Sequence, residues 1–171
     1  MVIVTGDRDM WQLVNEQVRV HIPGGGKRES RLIDRQACFD GLGVWPEQVP
    51  DYKGLAGDES DNIPGVVGIG PKTARQLLAK YASLEGVYNH IEQIEGSVHD
   101  KLIRDKEVAF LSKELATIKT DVSLQFDWHA CKVAAYDKEK AIATLMKYNF
   151  KSLVPALPID EFEEEVQEAL F

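Results

Sequence analysis

Gly57-Asp58-Glu59-Ser60-Asp61-Asn62 runs almost directly into Pro64-Gly65-Val66-Val67-Gly68-Ile69-Gly70-Pro71-Lys72-Thr73-Ala74, and this stretch decides how the 171-residue chain is read. Its second part has the pattern of a helix-hairpin-helix. Gly68 and Gly70 allow backbone conformations and close approaches that a Cβ would block. Pro71 suits a first helical position. The N–H groups of the turn and of the new helix then face outward, where they favour an anion. Such contacts grip a phosphate backbone without reading bases. Gly65, Gly68, Gly70, Lys72, Thr73 and Arg75 are the candidate contact residues, whereas Ala74, Leu77 and Leu78 read as packing. An ordinary turn between two helices is the competing reading of the same pattern.

The acidic half of the stretch has a partner near the start of the chain. Asp58 and Asp61 are three residues apart, so on a helical turn both carboxylates share one face. Asp7 and Asp9 follow the apolar run Val2–Thr5, where a strand gives way to a helix. At i and i+2 of an extended segment, they point to one side. Converging carboxylates repel one another unless a hard cation joins them. Helix capping explains each pair equally well in isolation, because Asp and Ser favour first turns for backbone reasons. An acidic pair leading into an anion-binding turn is chemically coherent, since metal ions and backbone donors then engage neighbouring phosphates.

Outward from there, Val2–Thr5 and Val18–Ile22 read as strands, with a first helical turn from Met10 to Val14. Pro23–Lys27 reads as a hairpin turn. Asp34 is placed to cap a helix to Gly41, and a helix, glycine turn and second helix span Tyr52–Tyr81. Leu84–His90 predicts a short helix. Leu102, Val108, Leu111 and Leu115 repeat at helical spacing within Val98–Leu115, with a break near Arg104. Asp137 caps a further helix to Lys147 that shows Ala141, Leu145 and Tyr148 on one face. Pro155 and Pro158 open a linker before an exposed helix over Glu161–Leu170. The expected fold is α/β but mostly helical, a small sheet edge followed by a helical domain.

Hydrophobic residues make up 44% and charged residues 28%, as in an ordinary globular domain. No apolar run approaches the roughly 20 residues of a membrane span. Cys38 and Cys131 are isolated, which predicts a reducing cytoplasm rather than a disulfide framework. His21, His90, His99 and His129 have no ligand spacing. The net charge of −8 looks unfavourable for a nucleic-acid binder. Yet six of those eight charges fall in a tail with no Lys or Arg, at Asp160, Glu161, Glu163, Glu164, Glu165 and Glu168.

Taken together, Val4-Thr5-Gly6-Asp7-Arg8-Asp9-Met10-Trp11-Gln12-Leu13-Val14, Asp51-Tyr52-Lys53, Gly57 to Gly65 and Gly68 to Ala74 resemble the 5′ nuclease family. The resemblance is nearest to the 5′→3′ exonuclease domains of bacterial DNA polymerase I. Leu111 to Val122 and Phe150-Lys151-Ser152-Leu153 extend it, so that it covers residues 1–158. It implies the edge of a PIN-like sheet in residues 1–50, a helix-hairpin-helix C-terminal domain in 51–158, and an acidic tail in 159–171. By position, Asp7, Asp9, Asp58 and Asp61 correspond to the family's second acidic cluster, which helps to hold Mg2+ or Mn2+. The carbonyls of Val66 and Ile69 correspond to a K+ site at the hairpin. The implied reaction is hydrolysis of phosphodiesters at a 5′ end or 5′ flap of DNA, with two divalent ions activating water and stabilising the leaving oxygen. The resemblance begins halfway through the family's domain, without its first strand, first metal cluster and arch. This chain is therefore expected to be a C-terminal half that needs the N-terminal half, or adjoining polymerase domains, as partner. A helix-hairpin-helix module that binds DNA without cutting it is the alternative.

Overall fold

Val2–Val4 forms strand β1, Arg19–Ile22 forms β2 and Arg31–Ile33 forms β3, in the sheet order β1-β2-β3. The β1–β2 pair is parallel and the β2–β3 pair antiparallel. A parallel pair needs a crossover, and residues 5–18 supply it. That crossover holds a tight 3-10 helix at Arg8–Leu13 rather than α-helical turns. Val14 is already extended again, its N–H bonded to the Trp11 carbonyl, so only i→i+3 bonding is possible there. Trp11, 3% exposed, fastens this crossover into the core. Ile3, Val20 and Ile33 lie in register on the covered face of the sheet. Val2, Val4 and Leu32 are exposed.

The computed structural model describes residues 1–26, 29–127 and 137–157, in two units, Met1–Asp121 and Val122–Phe171. Helix α1 spans Arg35–Leu42, capped as expected by Asp34, which accepts the Ala37 N–H at 2.8 Å. Helix α2 runs Val49–Ala56, starting three residues before the expected Tyr52, because Pro50 suits a first turn. Helix α3 is Pro71–Tyr81 and α4 is Leu84–Asn89, the latter capped by Ser83. The long helical pattern does break beside Arg104, giving α5 (Gly96–Arg104) and α6 (Lys106–Ala116). The strands and helices of this unit share one core.

Helix α6 corrects one expectation. Leu111 and Leu115 are 52% and 61% exposed, while Ala109, Ser112 and Ala116 are buried. The reason is the closeness of α2. A Cβ on Gly54 would lie 3.0 Å from both the Ala109 carbonyl oxygen and the Lys113 Cβ. Only small side chains fit at such a seam, so the large apolar residues turn outward.

In the second unit, α7 spans Lys138–Lys147, with Asp137 accepting the Lys140 N–H at 2.8 Å. Ala141 and Leu145 are half-buried, whereas Tyr148 is exposed. A 3-10 helix follows at Lys151–Ala156. Among the described residues no helix is long and apolar enough to cross a membrane. Lys27, His129, Cys131 and the helix expected over Glu161–Leu170 lie outside the described residues.

Candidate active site

The crossover after β1 and the loop after α2 deliver carboxylates to one place. Asp9, Asp58 and Asp61 each offer an oxygen, and these oxygens lie within 4.8 Å of one another. Asp7 is outside this triplet. It caps the 3-10 helix instead, accepting the Asp9 N–H at 2.8 Å. The extended geometry expected for Asp7 and Asp9 is absent, because Asp9 is already inside the 3-10 helix.

Asp58 and Asp61 converge through a closed loop rather than a helical turn. Asp58 N–H donates to the Ile63 carbonyl and Ile63 N–H returns to Asp58, at 2.8 and 2.9 Å. Ser60 donates to the Asp58 carboxylate from its N–H at 2.9 Å and its hydroxyl at 2.6 Å. Asn62 takes a left-handed conformation, φ 56°, that lets the loop close.

A residue to which the sequence assigned no role stands among these acids. Lys53 of α2, 7% exposed, bonds Asp9 and reaches Asp58 at 2.6 Å and Asp61 at 3.5 Å. Burial pulls the Lys53 ammonium down, but its bonds to Asp58 and Asp9 outweigh that and raise it. Its two main partners move in opposite directions. Burial pushes the Asp9 carboxyl up, and Asp7 and Asp61 add to this, beyond what Lys53 restores. Burial also lifts Asp58, yet bonds from Lys53 and Ser60 hold it below the usual carboxylate range. The difference is a matter of partners, since Asp58 has the extra donor. No local sequence signal marks Lys53; only in the folded helix, with six of eight positions buried, does its charge require a partner.

The acids line a cavity of about 650 Å³ that also takes in Arg8, Tyr52 and Lys53 and extends to Pro71, the first residue of α3. A larger groove of about 810 Å³ lies elsewhere, along α6 and Glu85. The donor set suits a hard divalent cation: three carboxylate oxygens converge, and their field has already drawn in an ammonium.

The glycine turn between the acids and α3 is firmly tied. Gly65 is buried, with φ +60°, and donates its N–H to Ser112 Oγ at 3.1 Å. A Cβ there would come within 2.2 Å of the Gly57 nitrogen. This places Gly65 inside the fold, away from any ligand. Gly68, φ +86°, is exposed, and so are Gly70 and Lys72. Gly70 has φ −92° and open space where its Cβ would be, so the conformational need expected for it is not present. What its missing side chain leaves open is access. Helix α3 has Pro71 at its start and no side-chain cap, leaving the N–H groups of Lys72 and Thr73 without an intrahelical acceptor. Arg75, exposed, donates to the Leu42 carbonyl at 2.6 Å, which engages its Nε on the end of α1.

Three residues of the α5–α6 corner that sequence reasoning passed over clasp the turn. Asp105 accepts the Val67 N–H at 2.9 Å, Arg104 donates to the Val67 carbonyl at 2.9 Å, and Lys101 donates to the Gly68 carbonyl at 3.1 Å. The Val66 carbonyl accepts the Ile69 N–H at 2.9 Å.

Residues 44–139 match the family model described as 5′-3′ exonuclease, C-terminal SAM fold. DNA polymerase I of Caldicellulosiruptor bescii is 42% identical over 163 residues, 94% of this chain and 19% of that protein. This chain thus spans about a fifth of the length of its polymerase relative. Among solved structures, T5 5′-exonuclease with divalent zinc bound matches at TM-score 0.56 and 24% identity, over 67% of this chain and 42% of that one. The catalytic core of Rad2 in complex with DNA substrate matches at TM-score 0.55 and 16% identity, over 85% and 51%. These two likenesses establish the fold.

Proposed function

Since this chain belongs to the 5′-3′ exonuclease family, matching its C-terminal SAM-fold model over residues 44–139, we propose that it serves a metal-dependent nuclease hydrolysing phosphodiesters at 5′ ends or 5′ flaps of DNA. The observation carrying this reading is the cavity that joins the Asp9-Asp58-Asp61 triplet to the start of α3. Asp9, Asp58 and Asp61 would hold Mg2+ or Mn2+, with Asp7 orienting Asp9 through its cap. A bound divalent ion supplies Lewis acidity and charge neutralisation beside the scissile phosphate.

The protein's own part is positioning. Gly68, Gly70 and the free N–H groups of Lys72 and Thr73 receive a backbone phosphate at the dipole-positive end of α3. Lys72 adds a charge of the kind that binds without base specificity. The carbonyl of Val66, which also accepts the Ile69 N–H at 2.9 Å, and that of Ile69 would hold K+ at the turn, where it would supply positive charge toward phosphate. The complete two-metal centre draws further carboxylates from a preceding half of the nuclease domain.

A flap-cleavage assay with Mn2+ tests this, using the chain alone and mixed with such a half. Cleavage by the mixture, lost in Asp61→Ala, is the expected result. Unchanged cleavage by Asp61→Ala would sink the metal assignment. DNA binding without any cleavage would return the chain to a non-catalytic module.

A further inference from the structure

Metal binding by the acids does not by itself explain Lys53, although any role for this lysine rests on the proposed metal site. Its Nζ bonds Asp9 and Asp58 and lies 3.5 Å from Asp61, the same three carboxylates that converge as donors. An ammonium and a divalent ion cannot share a space in which all three donor oxygens lie within 4.8 Å of one another, because like charges a few ångströms apart repel strongly. The backbone of α2 cannot withdraw to make room, since Gly54 is pressed against α6. The side chain can move, for the cavity beside it is lined by Leu42, Tyr52 and Ala56 as well as by the acids.

We infer that Lys53 is a resident counter-ion and a positioning residue: it holds the three carboxylates together in the metal-free protein and swings into the cavity when a divalent ion takes them. Its ammonium sets a threshold for occupancy. A monovalent ion gains no charge advantage over it, whereas a divalent ion does, so Lys53 biases the site toward divalent ions.

Two measurements on the full chain test this. In Mn2+ titrations followed by electron paramagnetic resonance, Lys53→Met binds about tenfold tighter than the native chain, a difference of about 1.4 kcal/mol. In residue-resolved acetylation read by mass spectrometry, Lys53 of the native chain is protected without metal and becomes reactive when Mn2+ is added, while Lys72 does not change. Equal or weaker Mn2+ binding by a folded Lys53→Met overturns the inference and leaves the metal site standing. So does acetylation of Lys53 that is indifferent to Mn2+, a readout that does not depend on the variant folding. Absence of Mn2+ binding by both proteins removes the metal reading and this inference together.

Discussion

Asp105 shows how much one side chain can do for a turn on another element. The Arg104 guanidinium beside it, helped by the Val67 N–H, holds its carboxyl down at about 2, against an ordinary 3.8. A carboxyl lowered by folding stabilises the native state above its ordinary value and loses that effect as pH falls through the folded one. The tether is therefore fully present above about pH 4 and disappears toward pH 2. Hydrogen exchange of the Val67 amide should stay slow down to that window and accelerate within it, and Asp105→Asn should lose this acid step. Ser112 plays the matching role from inside. Ser112→Ala leaves the buried Gly65 N–H without its acceptor, and a loss of about 1–3 kcal/mol in urea unfolding is expected. Lys53 was illegible in the sequence for a physical reason. Its partners come from two stretches, the crossover that holds Asp9 and the loop that holds Asp58 and Asp61, and no local pattern announces the contact with Asp9, 44 residues away.

Elements were legible where their signals are local. Asp34 and Asp137 cap helices as their positions suggested, because a cap is decided within a few residues. The α5–α6 break beside Arg104 was visible as a failure of periodicity. The buried face of α6 was not, since Leu111 and Leu115 look like core until Gly54 brings α2 close enough to admit only Ala and Ser. The closed loop over Asp58–Ile63 escaped too, because its two backbone bonds depend on Asn62 at positive φ. The turn also separates two glycines that look equivalent. Gly65→Ala meets both positive φ and a backbone contact, so it should unfold the region, read as lost circular dichroism or a collapsed melting temperature. Gly70→Ala meets open space at ordinary φ, so its stability should be unchanged or slightly higher. If α3 grips phosphate, Gly70→Ala should still bind flap DNA several-fold more weakly in fluorescence anisotropy. Equal affinity would place the grip elsewhere.

For the whole chain, the distribution of charge matters more than its sum. Six acidic residues after Leu157 have no basic companion, and they repel a polyanion at a range set by salt. A chain ending at Leu157 should bind duplex DNA more tightly at low ionic strength, with the difference fading as salt rises toward 1 M. Lys72→Ala should lower the slope of log affinity against log salt by about 1, the signature of one lost phosphate contact. The acidic triplet has a thermal consequence as well. Asp9 belongs to the crossover after β1, and Asp58 and Asp61 to the loop after α2, so the three meet only in the folded chain. An ion held by all of them closes a long loop that the unfolded chain leaves open. It then acts as a removable staple: each increment of free Mn2+ shifts the unfolding transition upward by mass action. Melting curves should thus report the ion's presence even when no nucleic acid is there to be cut.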